Sequence, residues 1–557
     1  MVLAPFERAT SLAALRAGTF DVVVVGGGIT GAGVALDAAS RGLRTALIER
    51  DDLASGTSSK SSKLVHGGLR YLQQGDISLV YEALAERQRL LDNAPHLVTP
   101  LPFVLPMLGK GGMVPAKVAR ALGAAMWAYD LTGGLRIGKR HQRLTKAEVL
   151  AHMPTLVERR VVSGYLYYDA AADDARLTLA ICRTAALHHG AVVASRCGAV
   201  GLDRSPDGRI RGVEVDADGE RFTVAARSVV NAAGVWADDV RSLETGDHPD
   251  SMRPAKGIHV AVPHHLLRND VAVILPVPKD RRSVFVTRLG DLAYIGTTDT
   301  DYDGPLDDPQ CTPEDVAYLL GAVNANCEVQ LTTADVVGTW AGLRPLVKSA
   351  SSGRTADLSR HHKVQRSDGG LVTITGGKLT TYRRMAADTV DEVVEHLLDG
   401  AAPRSRTKHV RLRGADGWDT VEAAARRRGL GAEVGRHLAS RHGGEAKALL
   451  LLLDEDPTLA EPLVPGLPYL RAEAVWAVRH EMARSVDDVL TRRTRARLWA
   501  RDDAAAAADD VAALIAPELG WTPAEADASA AEFRALCEHE REAADLPHVH
   551  LADIAAR

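Results

Sequence analysis

Three glycines and one acid carry the clearest chemical signal in this chain. Gly26, Gly28 and Gly31 stand in the order GxGxxG, and Glu49 follows 23 residues after Gly26. In that spacing the first glycine permits a tight turn, the second lets a pyrophosphate approach the backbone, and the third lets a helix pack close to a sheet. An acid at that distance accepts hydrogen bonds from a ribose diol. The elements that must position these residues are legible on either side. The apolar run at 22–25 predicts a strand buried on both faces, the residues after Gly28 a helix whose N-terminus holds phosphate charge, and 45–48 a second strand ending at Glu49. The unit is a βαβ fold that binds a dinucleotide.

At 557 residues the chain exceeds one hydrophobic core, and a length of roughly 150 residues per domain predicts about three to four units. A formal charge of −5 gives no global attraction for nucleic acid or anionic lipid, so an anionic ligand needs a local cluster of Arg and Lys. Cys182, Cys197, Cys311, Cys327 and Cys537 are scattered and odd in number, which predicts neither a disulfide framework nor a metal site and fits a cytoplasmic protein. The N-terminal segment lacks a secretory apolar core, and no apolar run reaches membrane-spanning length. Residues 114–131 have apolar side chains at helical spacing, with Arg136, Lys139, Arg140 and Arg143 beyond them. That pattern favours a core-packed helix, with contact to anionic headgroups as the alternative.

A polar loop at 54–62 follows the first unit. Pro95, Pro100, Pro102 and Pro106 then predict short extended pieces leading away from the sheet. The chain returns to the sheet at 191–194 and 228–234, with a hairpin at 210–224 between them. Alternating runs at 271–275, 283–287 and 292–295 predict a mostly antiparallel second domain, and a strand at 371–375 leads into Gly376-Gly377-Lys378 and a further helix. Charged, Ala- and Leu-rich helical patterns dominate after residue 400, and the charge-rich stretch 475–501 reads as a solvated helix face, with interdomain or subunit contact as the alternative. The expected division is a discontinuous cofactor domain (20–100, 165–250 and 341–400), a substrate or cap domain (101–164 and 251–340) and a helical domain (401–557). A single GxGxxG, the polar loop and the late Gly-Gly-Lys turn suit a large cofactor gripped from distant segments, which favours FAD over NAD.

These motifs resemble those of the FAD-dependent glycerol-3-phosphate dehydrogenases. GGGITGAGVALDAASRG at 26–42 and GGKLTTYRRMA at 376–386 are similar to the two signatures of that family. SSKLVHGGLRYL at 61–72, NAAGVWAD, RPAKGIHV, IGTTDT and AGLRPLV are similar to its further blocks, in the same order. The resemblance covers residues 20 to about 390 and, more loosely, the C-terminal domain; the segment 109–150 matches none of it. It implies an α/β fold with a Rossmann-like FAD-binding domain of the glutathione-reductase/D-amino-acid-oxidase type, a mixed antiparallel-sheet cap domain and a mainly α-helical C-terminal domain. It also implies oxidation of sn-glycerol 3-phosphate to dihydroxyacetone phosphate by hydride transfer to FAD, with electrons passed to a membrane quinone. A homodimer in peripheral contact with the inner face of the cell membrane goes with that reading, and nucleic acid does not.

On that resemblance the substrate phosphate falls to Arg70 with Tyr71, Arg344, Arg360 and Lys378, because a dianion needs several positive donors, and Thr298 is a further substrate-binding residue. His66 and His259 are the alternative bases for the C2 hydroxyl, with Arg344 or Lys378 polarising the developing alkoxide. The flavin falls to Gly26, Gly28, Ile29, Thr30, Gly31, Glu49 and Arg50, to Thr57, Ser58, Ser61, Ser62 and Lys63 of the polar loop, to Ala233 and Gly234, and to Gly377, Lys378, Leu379 and Thr380. Two rivals share this body: a glycerol-3-phosphate oxidase using dioxygen, and an amine or amino-acid oxidase.

Overall fold

The computed structural model describes residues 6–68, 77–109, 116–131, 134–280, 282–348, 361–400 and 402–555. Its first sheet has a parallel centre in the order Leu371–Thr375, Glu220–Asn231, Thr19–Val25, Thr45–Ile48, Val192–Ala194. Val24 lies between Val230 and Leu47 in the register and is fully buried, as a central strand covered on both faces requires. On one face the helix Ile29–Ser40 is wedged between Asp174–His189 and Tyr382–His396, and its small residues let three helices share one core. The helix Arg8–Ala17 and the strands Gly198–Arg204 and Ile210–Ala217 build the core of the opposite face.

The second sheet is mostly antiparallel and runs from Thr300–Asp301 through Ala255–Pro263, Leu292–Gly296, Ser283–Leu289 and Ala272–Pro276 to Val98–Leu108, Val161–Ala172 and Leu64–Val65. Gly338–Arg344 pairs with Ala255–Pro263 in this same sheet. Two of its strands, Val161–Ala172 and Gly338–Arg344, run across the positions 165 and 341 where the sequence reading changes domain. The proline-rich stretch departs from expectation, because Val98–Leu108 is one unbroken strand laddered to Val161–Ala172 with a single register shift near its end. Pro100, Pro102 and Pro106 are an even number of residues apart, so their missing N–H groups fall on one edge and leave the ladder on the other intact.

The helix expected over 114–131 forms at Ala116–Leu131. It is two-faced. Met126 and Tyr129 are buried, whereas Trp127 and Leu131 are 49% and 75% exposed. Among the described residues no helix is long and apolar enough to cross a membrane.

The C-terminal region is helical, and here the charge-rich stretch 475–501 corrects the reading of a solvated face. Glu481, Asp488, Arg493, Arg495 and Arg501 are all buried. Most of their partners lie in the body: Arg176 Nη1 donates to Glu481 (2.6 Å), Arg196 to Asp488 (3.0 Å), Arg495 to Asp174, and Arg492 and Arg493 both donate to Asp52 (2.5–2.8 Å), whereas Arg501 pairs with the adjacent Asp502 (2.9 Å). A buried charge needs a partner, and one supplied from hundreds of residues away leaves no local pattern. A π-helical turn at Asp488–Arg493 presents these guanidiniums to the body.

His96 sits in the same interface, 3% exposed, with no hydrogen-bond partner for Nδ1. Burial, aided by the nearby Arg176, holds its imidazole down to about 4. Between that value and the 6.5 of an ordinary histidine, the unfolded chain takes up a proton that the folded protein refuses. Its stabilising share is therefore complete above 6.5 and lost as pH falls towards 4, by about 3 kcal/mol. His96→Asn is expected to remove that share of the acid slope. Denaturant unfolding at about pH 7 and about pH 4.5 measures it, and an unchanged slope contradicts the assignment.

Candidate active site

The ends of the central strands open onto one cleft of about 410 Å³, lined from the Gly26 turn to Arg344 and Lys378. Open α/β sheets place their ligand sites at the C-terminal ends of parallel strands, and here Thr19–Val25, Glu220–Asn231 and Leu371–Thr375 deliver Gly26, Ala233 and Gly376 to the same cleft.

One end is a cradle. Gly26 has φ +110°, a conformation other residues rarely adopt, and a Cβ on Gly31 would fall 1.9 Å from the Gly26 carbonyl oxygen. The helix Ile29–Ser40 starts at Gly28 with no side-chain cap on that residue and no acid in its first turn, so its positive end faces the cleft beside Ile29 and Thr30. Ser58 Oγ accepts from the Ile29 N–H at 2.8 Å and ties the polar loop to this turn. Glu49 accepts from the N–H groups of Gly27 (2.6 Å) and Asp51 (2.9 Å). Burial raises its pKa despite those bonds, and a carboxylate has lone pairs left for further donors. Arg50 lies 4.9 Å over the Trp236 ring, and both side chains bond to Asp307, which follows the strand Thr300–Asp301 of the second sheet.

The polar loop runs along one wall. Thr57 Oγ1 donates to the Leu343 carbonyl (2.5 Å), and Ser61 donates through N and Oγ to Asp174 (2.8 and 2.7 Å). Lys63 is placed elsewhere than the sequence reading expects: it does not line the cleft, and its ammonium pairs with Asp174 at 3.1 Å, 4.9 Å from the Trp340 ring. Burial and the neighbouring Arg495 bring its pKa down to about 8.

At the other end His66, His259, Arg344 and Lys378 all line the cleft, with Gly234, Gly377, Leu379 and Thr380. The His66 N–H donates to Thr380 Oγ1 at 3.1 Å, which joins two segments far apart in the chain. Arg344 is oriented by Asp299 (3.1 Å), Thr297 Oγ1 (3.2 Å) and the Thr298 carbonyl (3.1 Å). Thr298 itself is buried behind the cleft, its hydroxyl accepting from the Ile258 N–H, so it orients Arg344 and does not reach the cleft. His259 stacks flat on Trp340 (4.8 Å, 9°) with Nε2 2.8 Å from Ser62 Oγ. Its Nδ1 is buried without a hydrogen-bond partner. Burial, followed by the charges of Lys63 and Arg344, holds its pKa well below the ordinary value, so the ring is neutral. Arg70, Tyr71 and Arg360 lie outside the described residues.

Sequence reasoning missed Trp236, Asp299, Asp174 and Trp340. Trp236 stands inside NAAGVWAD and Asp299 inside IGTTDT, each beside residues that were singled out, while Asp174 and Trp340 have no local signal because they act through contacts across the chain. Among the described residues no group of His, Cys, Asp and Glu could hold a metal ion. The glycine turn, open helix start, buried acid and distant second grip fit an extended dinucleotide.

The family described as FAD dependent oxidoreductase matches residues 21–383, and the C-terminal domain of alpha-glycerophosphate oxidase matches 405–526. Glycerol-3-phosphate dehydrogenase 2 of Mycobacterium bovis is 42% identical over 97% of this chain and 91% of its own length. The human mitochondrial glycerol-3-phosphate dehydrogenase is 36% identical over 93% of this chain and 73% of its own. The structure of the glycerol-3-phosphate dehydrogenase from Bacillus halodurans complexed with FAD has a TM-score of 0.77 at 31% identity, covering 96% of this chain and 97% of that one. The L-alpha-glycerophosphate oxidase of Mycoplasma pneumoniae shares the fold at a TM-score of 0.54, 18% identity, 71% of this chain and 98% of its own. The fingerprint turn, the cleft at the sheet ends, the helical C-terminal domain and near full-length likeness agree, and the chain belongs to the FAD-dependent glycerol-3-phosphate dehydrogenase family.

Proposed function

We propose that this protein oxidises sn-glycerol 3-phosphate to dihydroxyacetone phosphate in the cleft and hands the electrons to a membrane quinone. The observation that carries the reading is the arrangement of one cleft, with a dinucleotide cradle at one end and two cations beside an imidazole at the other. Gly28, Ile29 and Thr30 would hold the pyrophosphate of FAD, Glu49 a ribose, and Ser61, Ser62 and the Gly377–Thr380 turn the ring. Bound there, FAD supplies the acceptor for the hydride that leaves C2.

The chain does the rest. Arg344 and Lys378 hold the phosphate or the C2 oxygen, and Asp299 with the Thr298 carbonyl fixes the guanidinium before substrate arrives. His66 takes the proton of the C2 hydroxyl. His259 is the poorer base, since burial and two neighbouring cations oppose a charge on its ring. We assign it to holding Ser62 in place. Arg344→Ala is expected to lower kcat/KM by about ten- to a hundredfold with FAD still bound, the worth of one charge-assisted contact. Lysine restores little of it, because an ammonium cannot copy the fork of a guanidinium. Steady-state kinetics with unchanged kcat/KM removes Arg344 from the substrate site.

The quinone and membrane part of the proposal draws on an outward patch of Ile77, Tyr81, Trp127 and Leu131, each about half exposed or more. Arg136 lies 4.8 Å over the Tyr81 ring and Arg140 5.5 Å over Trp127. Apolar and aromatic tips rimmed by guanidiniums suit the headgroup region of an anionic bilayer at the inner face of the cell membrane. Substrate-reduced enzyme, mixed separately with a quinone analogue and with air, tests the acceptor. Fast reoxidation by quinone and slow reoxidation in air supports the dehydrogenase, and the reverse order makes it an oxidase. Cosedimentation with anionic vesicles tests the patch, and equal partition to neutral vesicles contradicts it.

A further inference from the structure

We infer that Arg495, delivered from the helical C-terminal domain, is a positioning residue for the cofactor: through Asp174 it fixes residues 59–63 along the cleft wall and so governs how tightly FAD is retained. The inference rests on the reading of the cleft as the flavin site.

Arg495 is fully buried and has φ +77°, a backbone conformation that side chains other than glycine adopt only against a steric cost. Its guanidinium donates to the Ser59 carbonyl (2.6 Å), to the Asp174 carboxylate and to the Thr491 carbonyl (3.3 Å). Asp174, also fully buried, is the node. One of its oxygens accepts from Ser61 N and Oγ, and the other from Lys63 Nζ and Arg495. The same loop is held from the opposite side by Trp340 Nε1 donating to the Ser61 carbonyl (3.1 Å) and by the Tyr294 hydroxyl donating to the Ser62 carbonyl (3.0 Å).

What the loop then presents bears on the cleft. Ser58 Oγ caps the Ile29 amide of the fingerprint helix, and Ser62 Oγ meets His259. A loop anchored by a single backbone carbonyl would not need a guanidinium from a segment more than 400 residues away. The charges explain the choice. Asp173 and Asp174 stand side by side at the start of the helix Asp174–His189, Asp174 fully buried and Asp173 partly so, and Arg495, Lys63 and Arg441 neutralise them. Removing Arg495 takes one charged donor from Asp174 and leaves the buried Ser59 carbonyl without that guanidinium, so residues 59–63 lose the tie that sets their place along the wall.

Arg495→Lys keeps the buried charge and loses the fork, and Ser61→Ala removes the hydroxyl half of the Ser61–Asp174 pair, leaving its N–H bond, without touching the C-terminal domain. Each is expected to speed FAD release by about ten- to a hundredfold and to alter the visible band shape of the bound flavin, while Ser61→Ala leaves the melting temperature in place. The double variant is expected to release FAD no faster than the stronger single one, because both act on the same segment. If Arg495→Lys lowers the melting temperature but leaves FAD release and the flavin spectrum as in the unmodified protein, Arg495 is only an interdomain tie and the inference fails. Fully additive effects overturn it as well. Glu49→Ala, measured alongside, separates the two levels: unchanged FAD retention there removes the reading of the cleft itself.

Discussion

His66→Gln is expected to lower kcat for glycerol 3-phosphate by about 10²- to 10⁴-fold, the usual share of a positioned general base, with FAD still bound and the fold intact. The segment from Leu64 to His66 leaves the second sheet at Val65, and its His66 amide is pinned to Thr380 Oγ1 at the start of the late helix. The His66 backbone is thus tied to the segment that carries Lys378, and the residue lines the cleft together with Ser62 and Lys378. Gln keeps a polar side chain of similar reach and takes up no proton. His259→Gln makes the contrasting case. It leaves a hydrogen-bonding group near Ser62 and is expected to disturb KM and FAD retention more than kcat. Rapid-reaction measurement of the reductive step under anaerobic conditions checks both, and a His66 variant that reduces its flavin at the ordinary rate transfers the base assignment elsewhere.

The second large effect is structural. Asp52 accepts three hydrogen bonds from Arg492 and Arg493, and all three side chains are buried. Burial alone would raise the Asp52 pKa, yet the two guanidiniums hold it below the usual carboxylate range. Asp52→Ala leaves two guanidiniums without that partner in a place water does not reach, which costs about 3–5 kcal/mol. Against a total stability of about 5–15 kcal/mol for a typical domain, that is enough to loosen the C-terminal domain at moderate temperature. Asp488 softens the loss, since it already bonds Arg492 at 2.5 Å, although Arg196 draws on the same carboxylate oxygen at 3.0 Å. Calorimetry and limited proteolysis read the outcome. A melting profile equal to that of the unmodified chain would mean that the two domains are held by their apolar contacts alone.

Legibility followed locality. The cradle could be read because its parts lie within 24 consecutive residues and each has a conformational reason: Gly26 for its positive φ, Gly31 for the Gly26 carbonyl oxygen that lies 1.9 Å from where its Cβ would stand, Glu49 at the end of the next strand. The strands at 271–275, 283–287 and 292–295 were likewise visible as alternation, and they form at Ala272–Pro276, Ser283–Leu289 and Leu292–Gly296. Contacts made across the chain were not. Nothing near Lys63 announces that its amine turns away from the cleft to Asp174, and nothing near Thr298 announces that it stands behind Arg344. The stretch 475–501 misled for the same reason, since a charged helix reads as solvated until the partners Asp52, Asp174 and Arg176 are placed against it. The prolines of Val98–Leu108 misled differently: their spacing of two and four leaves the ladder on one edge whole and the pairing on the other confined to Phe103 and Val104, a possibility that counting breakers overlooks.

The claim that this cleft joins FAD to glycerol 3-phosphate is tested most directly by an anaerobic visible titration of the purified holoprotein. Stepwise addition of glycerol 3-phosphate is predicted to bleach the oxidised-flavin absorbance with an endpoint of one substrate per flavin, and the Arg344→Ala variant to need far more substrate for the same bleaching. A yellow protein that glycerol 3-phosphate leaves unbleached, while an amino acid or amine bleaches it, would contradict the account.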